Sequence, residues 1–239
     1  MKKFLLLCAY SLLMTPVLAQ RTNGAEARYH ESRLAFTYPP YGLAKVKGLI
    51  ARLKDDKEGD ERLPAKTFDA LPFDEKFTYV MIHAEDFSQN CAGMPEIAGE
   101  NKKIFGHTPG AFEADERTWS ERETGFLNHN RAKVIRLLRD SMRSGHVGIN
   151  VKGAIEETKA YELIPDLIAA HERDPDDHDL LTVMMLLMDD AKYKPFMATT
   201  VAKKLYGDNS NYQGAIEDTP AHEKLIVTLA GMFAKSHRP

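Results

Sequence analysis

The stretch His83-Ala84-Glu85-Asp86-Phe87-Ser88-Gln89-Asn90-Cys91 puts a thiol, an imidazole, carboxyls and amides in one short segment. A cysteine attacks only as thiolate, so it needs a base or a positive neighbour to draw off its proton. His83 is the nearest base in sequence. Eight residues of straight helix rise ~12 Å, so the pair can meet only if the chain turns back near Ser88–Asn90. A base could otherwise come from His107 or His129. On the other reading, the helix runs on and Cys91 returns to the face that carries Phe73, Phe77, Val80, Met81, Ala84 and Phe87. The thiol is then a buried packing group, with Gln89 and Asn90 closing the helix end. The catalytic candidates are accordingly His83 and Cys91, and Gln89 and Asn90 are binding candidates beside them.

A second source of chemistry is the region 92–118, which holds Gly99, Gly106, Pro109 and Gly110 and has no sustained periodicity. Irregular segments of that length in a compact domain are often functional. His107, Phe105 and Phe112 lie in it and Trp119 beside it, so it can wall a groove. His107 and Trp119 complete the binding candidates.

Metal ligation is not expected. His83 and Asp86 stand at i,i+3, and Asp174, Asp176, Asp177, His178 and Asp179 form an acidic knot. Acids before an apolar run are explained by a helix N-terminus. No EF-hand order or HExxH spacing occurs, and His171–Glu172 and His222–Glu223 each lack a second histidine. GxSxG, P-loop, GxGxxG, CxxC and CxxCH are also absent, so no cofactor is implied.

The elements that would hold these groups are helical. Pro175–Met188, PDDHDLLTVMMLLM, is apolar nearly all round and must be covered on most sides, so the rest of the chain is expected to pack on it. Asp174 is the expected N-cap, with Pro175 in the first helical position. Helical spacing also marks 43–53, a helix from Phe73, the stretch from Trp119 to Met142, 149–158, 161–173, 194–206 and 221–234. Ser120 and Glu123 have capping-box spacing. Leu34–Tyr38 reads as an extended segment closed by Pro39–Pro40, and Asp55–Arg62 as a charged loop.

Ile155 is followed by Tyr161 and Pro165, and Met185 by Tyr193 and Pro195, an echo at helix–turn–helix scale. With AYELIPDLIAAHERDPDDHDLLTVMMLLM, a helix opened by proline, an acidic turn and an apolar helix, residues 125–206 resemble HEAT-like α-solenoid repeats. The expected fold class is all-α: an irregular helical bundle or a short HEAT-like solenoid of antiparallel hairpins.

Residues 1–19 carry Lys2 and Lys3, an apolar block and Val17-Leu18-Ala19, the pattern of a signal peptide cleaved before Gln20. Residues 20–33 then read as a flexible lead-in and 34–239 as one helical domain. Cleavage removes Cys8, so Cys91 would be the last cysteine and no internal disulfide could form. The net charge of −3 is mixed along the chain and leaves no footprint for nucleic acid. No later apolar run reaches the ~20 residues of a membrane span, so no stable insertion is expected after cleavage. The function expected is that of an exported periplasmic or extracellular module binding protein or peptide. The alternative is a hydrolase or transferase built on His83–Cys91 and the 92–118 wall.

Overall fold

The computed structural model describes residues 24–89, 97–143 and 145–237. Asn90, Cys91 and the expected leader therefore lie outside the described residues. Among the described residues the protein is mostly helical, 60% helix with little strand. Its N-terminal part runs α1 (Gly24–Leu34), α2 (Leu43–Ile50), α3 (Ala65–Asp69), α4 (Phe73–Ile82) and β1 (Asp86–Phe87). Next come β2 (Lys103–Phe105), β3 (Arg117–Thr118), α5 (Glu121–His129), α6 (Arg131–Arg143) and α7 (Ile149–Glu157). The C-terminal part is α8 (Ile164–Arg173), α9 (Asp179–Asp190), α10 (Lys194–Met197), α11 (Thr200–Tyr206), β4 (Ala215–Glu217) and α12 (Pro220–Ser236).

The apolar helix is central, as its composition requires. α9 packs against α7, α8, α10, α11, α12 and β2, and only its last turn and Leu186 reach toward solvent. Thr182, its one polar interior residue, donates to the Phe105 carbonyl at 2.8 Å, so no polar atom is stranded there. The helix starts later than its acidic prefix suggests. Asp174–His178 form a turn, and His178 stands at the N-cap without a side-chain cap. Tertiary ion pairs claim these acids: Lys152 takes Asp177 and Arg33 takes Asp179.

Helix ends follow local chemistry where it is strong. Ser120 and Glu123 form the full capping box of α5, and Thr199 and Thr219 accept from backbone amides at the starts of α11 and α12. Asn130 separates α5 from α6. The 194–206 stretch divides at Thr199, because its hydroxyl caps a new helix.

Three segments differ from the sequence expectation. Gly24–Leu34 is a helix rather than part of a lead-in, and charge docks it: Arg33, 3% exposed, binds Asp179 with both prongs of its guanidinium at 2.9 Å and also pairs with Glu100. α4 stops at Ile82 instead of continuing toward Cys91. Its chain becomes extended at His83, and Phe87, placed on the apolar face by the helical wheel, is 44% exposed. Residues 97–118 contribute one strand to each of two short antiparallel ribbons: β3 to β1, pairing Thr118 with Asp86, and β2 to β4, centred on Ile104 and Ile216.

Leu34 ends α1, and residues 35–38 form the extended strap that the aromatic residues and prolines predict. It lies across the start of α7, where Ile149 N–H donates to the Ala35 carbonyl at 2.9 Å. Asn150 fastens the strap: its amide donates to the Thr37 and Met81 carbonyls, and its oxygen accepts the Thr37 N–H at 3.0 Å.

Candidate functional site

α7 presents Gly153 and Glu156 one turn apart, on the same face. The 108–119 segment lies over that face and encloses a cleft of about 520 Å³. Thr108, Phe112, Trp119 and Tyr212 supply its walls, and Ser88 comes up at its edge.

The polar groups are individually anchored. Thr108 Oγ1 donates to Glu156 Oε1 at 2.9 Å, and Tyr212 Oη donates to the Thr108 carbonyl at 3.0 Å. Trp119 Nε1 donates to the Val80 carbonyl at 2.7 Å, and its ring meets Phe112 edge-on at 5.6 Å. Burial pushes the Glu156 carboxyl up to about 7; Asp179 pushes the same way, while the Thr108 bond and Lys152 oppose it. A neutral carboxyl can donate a hydrogen bond to a ligand, which a carboxylate cannot.

Gly153 lines this cleft. A Cβ there would stand 3.6 Å from Trp119 Cη2 and 3.8 Å from Ala111 Cβ, which is ordinary contact. Neither backbone nor sterics demands glycine, yet glycine inside a helix costs ~0.5–1 kcal/mol relative to alanine.

Of the residues selected from sequence, Trp119 lies in the cleft wall. His107 stands behind it: its ring stacks on Tyr212 at 4.9 Å and touches Tyr206 edge-on at 5.8 Å, and burial lowers its pKa. His83 is elsewhere and committed. It is buried, its Nε2 meets the Glu61 carbonyl at 2.7 Å and so carries the proton, and burial lowers its pKa. Gln89 is exposed. Comparison with family models, curated proteins and solved structures finds no match.

Glu156, Thr108 and Tyr212 escape the sequence reading. Glu156 sits in an ordinary amphipathic stretch, and Tyr212 comes from the distant turn 207–214. The isolated Gly153 inside a helical pattern was the available signal, since such a glycine often marks close packing or a site.

A second buried carboxyl cluster lies under β1. Glu85, 1% exposed, accepts from Tyr79 Oη at 2.8 Å and Ser120 Oγ at 2.7 Å and pairs with Arg122. Glu123 Oε2 accepts the Glu85 and Ser120 N–H groups at 3.0 and 2.9 Å. Burial, then Glu85, pushes the Glu123 carboxyl up to about 8. Its backbone partners make it a structural joint between β1 and α5.

Proposed function

We propose that the chain is an exported binding module that holds a peptide segment in the cleft between α7 and the 108–119 wall. The observation that carries this reading is Gly153, where helix stability is forgone on the face that opens the cleft. Aromatic faces at Trp119 and Phe112 suit the side chains of an extended peptide, and a protonated Glu156 suits one of its carbonyls. The HEAT-like stacking of 125–206 belongs to the same proposal, supported by the mutual packing of α6, α7, α8 and α9.

The chain has one tryptophan, and it lies in the cleft wall, so its emission reports directly on occupancy. Panning a random peptide library on the folded protein, followed by titration of the selected peptides, should shift Trp119 emission saturably. Gly153→Leu puts a side chain into the cleft from a helical position where an added Cβ makes only ordinary contacts. It should keep the melting temperature within a few degrees and weaken peptide binding by at least about tenfold. Selected peptides that bind Gly153→Leu as tightly as wild type would place the interaction elsewhere.

Glu156 also supports the second reading, a hydrolase or transferase, because a carboxyl titrating near neutrality in a cleft suits general acid–base work. Turnover of a selected peptide, with a rate limb near pH 7 that disappears in Glu156→Gln, would put this reading first.

A further inference from the structure

A second cavity, of about 400 Å³, opens between α1 and the acidic turn that joins α8 to α9. Its lining includes Tyr29, Asn101, Asp174 and Asp177. Unused hydrogen-bonding atoms gather there: Tyr29 Oη, Asn101 Oδ1 and Asp177 Oδ2 are all buried without a partner. Leaving a polar atom buried and unpaired is destabilising, so such a group at one cavity calls for an occupant.

Asp177 identifies the occupant. It is 8% exposed, and its Oδ1 takes the ammonium of the fully buried Lys152 at 2.6 Å. Oδ2 is buried with no partner of its own. His146, from the connection between α6 and α7, brings Nε2, also buried and unpartnered. One ligand atom each from His146, Asp174 and Asp177 lies within 4.8 Å of the other two. A cation among these three side chains would satisfy the buried His146 and Asp177 atoms together, with the exposed Asp174 as its third ligand.

The ligands are held in place by contacts that need no ion. The His146 carbonyl accepts from Thr37 Oγ1 at 2.9 Å, and that hydroxyl in turn accepts the Gly148 N–H at 2.7 Å. Asp177 N–H donates to the Asp174 carbonyl at 3.2 Å, which sets both carboxylates on one turn. Neither acid caps α9, which begins at Asp179 without a side-chain cap, so the helix-terminus explanation of this acidic run does not apply to them.

We propose that His146, Asp174 and Asp177 bind a zinc-class divalent transition-metal ion whose remaining coordination positions face the cavity. An imidazole with two carboxylates suits such an ion, whereas magnesium and calcium favour oxygen donors alone. The two carboxylates supply the anionic donors, with Asp177 already held in place by Lys152. Three protein ligands with an open side are the arrangement of a site that exchanges water or a ligand, rather than a closed structural one. This site does not depend on the peptide cleft; the two share α7 but no ligand.

The test uses full-length protein stripped with a chelator and titrated with Zn²⁺, with Mg²⁺ in parallel. One Zn²⁺ per chain should bind saturably, and Co²⁺ should give a visible d–d spectrum at the same stoichiometry. His146→Gln and Asp174→Asn, both at positions that are not fully buried, should fold normally and weaken Zn²⁺ binding by at least about tenfold. His129→Gln, an exposed histidine away from the site, should bind as wild type. Absence of stoichiometric Zn²⁺ binding, or equal binding by wild type and His146→Gln, overturns the proposal.

Discussion

At the scale of single residues, two glutamates show how the fold sets proton affinity. Glu123 is fully buried, with one oxygen on two backbone amides and the other without a partner, and burial raises its carboxyl to about 8. Glu156 is raised to about 7 for the same leading reason. Both hold a proton in the folded state that the unfolded chain releases near the ordinary value of 4.5. Their stabilising contribution is therefore complete below that value and is lost as pH rises through about 7 and about 8. Each group contributes a slope of at most ~1.4 kcal/mol per pH unit within its window. Urea midpoints should fall from pH 5 to pH 8, and Glu123→Gln should flatten that fall, because an amide keeps the acceptor for Ser120 and Glu85 and cannot ionise. A wild-type midpoint constant over this range would show that Glu123 is ionised in the native state. The capping role of Glu123 was legible from Ser120-x-x-Glu; its proton affinity was not, since Glu85 arrives from a different element.

At the scale of elements, α7 is the member that organises the chemistry. Asn150 holds the strap, Lys152 pairs with Asp177, and Gly153 and Glu156 face the cleft. Its docking depends on Gly148, where a Cβ would fall 2.1 Å from the Thr37 nitrogen and 2.6 Å from the Phe36 carbonyl carbon. Both clashes are with backbone, so no side chain can move aside to relieve them. Gly148→Ala should therefore cost about 3 kcal/mol or more by displacing the strap, measured by chemical denaturation. Gly153→Ala should be neutral or stabilising in the same assay. The contrast separates a glycine required by close approach from one that leaves space. The sequence alone does not draw this distinction, because the Thr37 backbone and the Trp119 ring meet α7 only in three dimensions.

For the molecule as a whole, the apolar core accounts for the packing on α9, and buried charge decides how α1 joins it. Arg33 also lies over the Phe105 ring, 4.4 Å from its centroid, so it is packed as well as paired. Arg33→Ala should destabilise by about 3–5 kcal/mol, because Asp179 and Glu100 would stay buried without a countercharge. Arg33→Lys should recover only part of this, since an ammonium cannot reproduce the two-pronged contact with Asp179. Loss of α1 protection in hydrogen exchange should accompany both changes. A loss below about 1 kcal/mol for Arg33→Ala would mean that α1 is held by something other than this pair.

What the sequence determined by itself was the helical class, the central apolar helix, the capping box and the extended strap. Each depends on residues close together in the chain, whose spacing or side-chain chemistry acts without knowledge of the fold. The tertiary structure decided where α4 ends, where α9 begins, that 24–34 is a helix, and which polar groups meet. At α4 the deciding partners come from outside the local pattern: Glu61 binds His83, and Glu123 binds the Glu85 amide. At α9 the helix start is fixed by Lys152 and Arg33, far away in sequence. Periodicity locates an apolar face because burial favours any apolar neighbour, whatever its identity. A buried charge needs one particular partner at one particular distance, and only the folded chain supplies it.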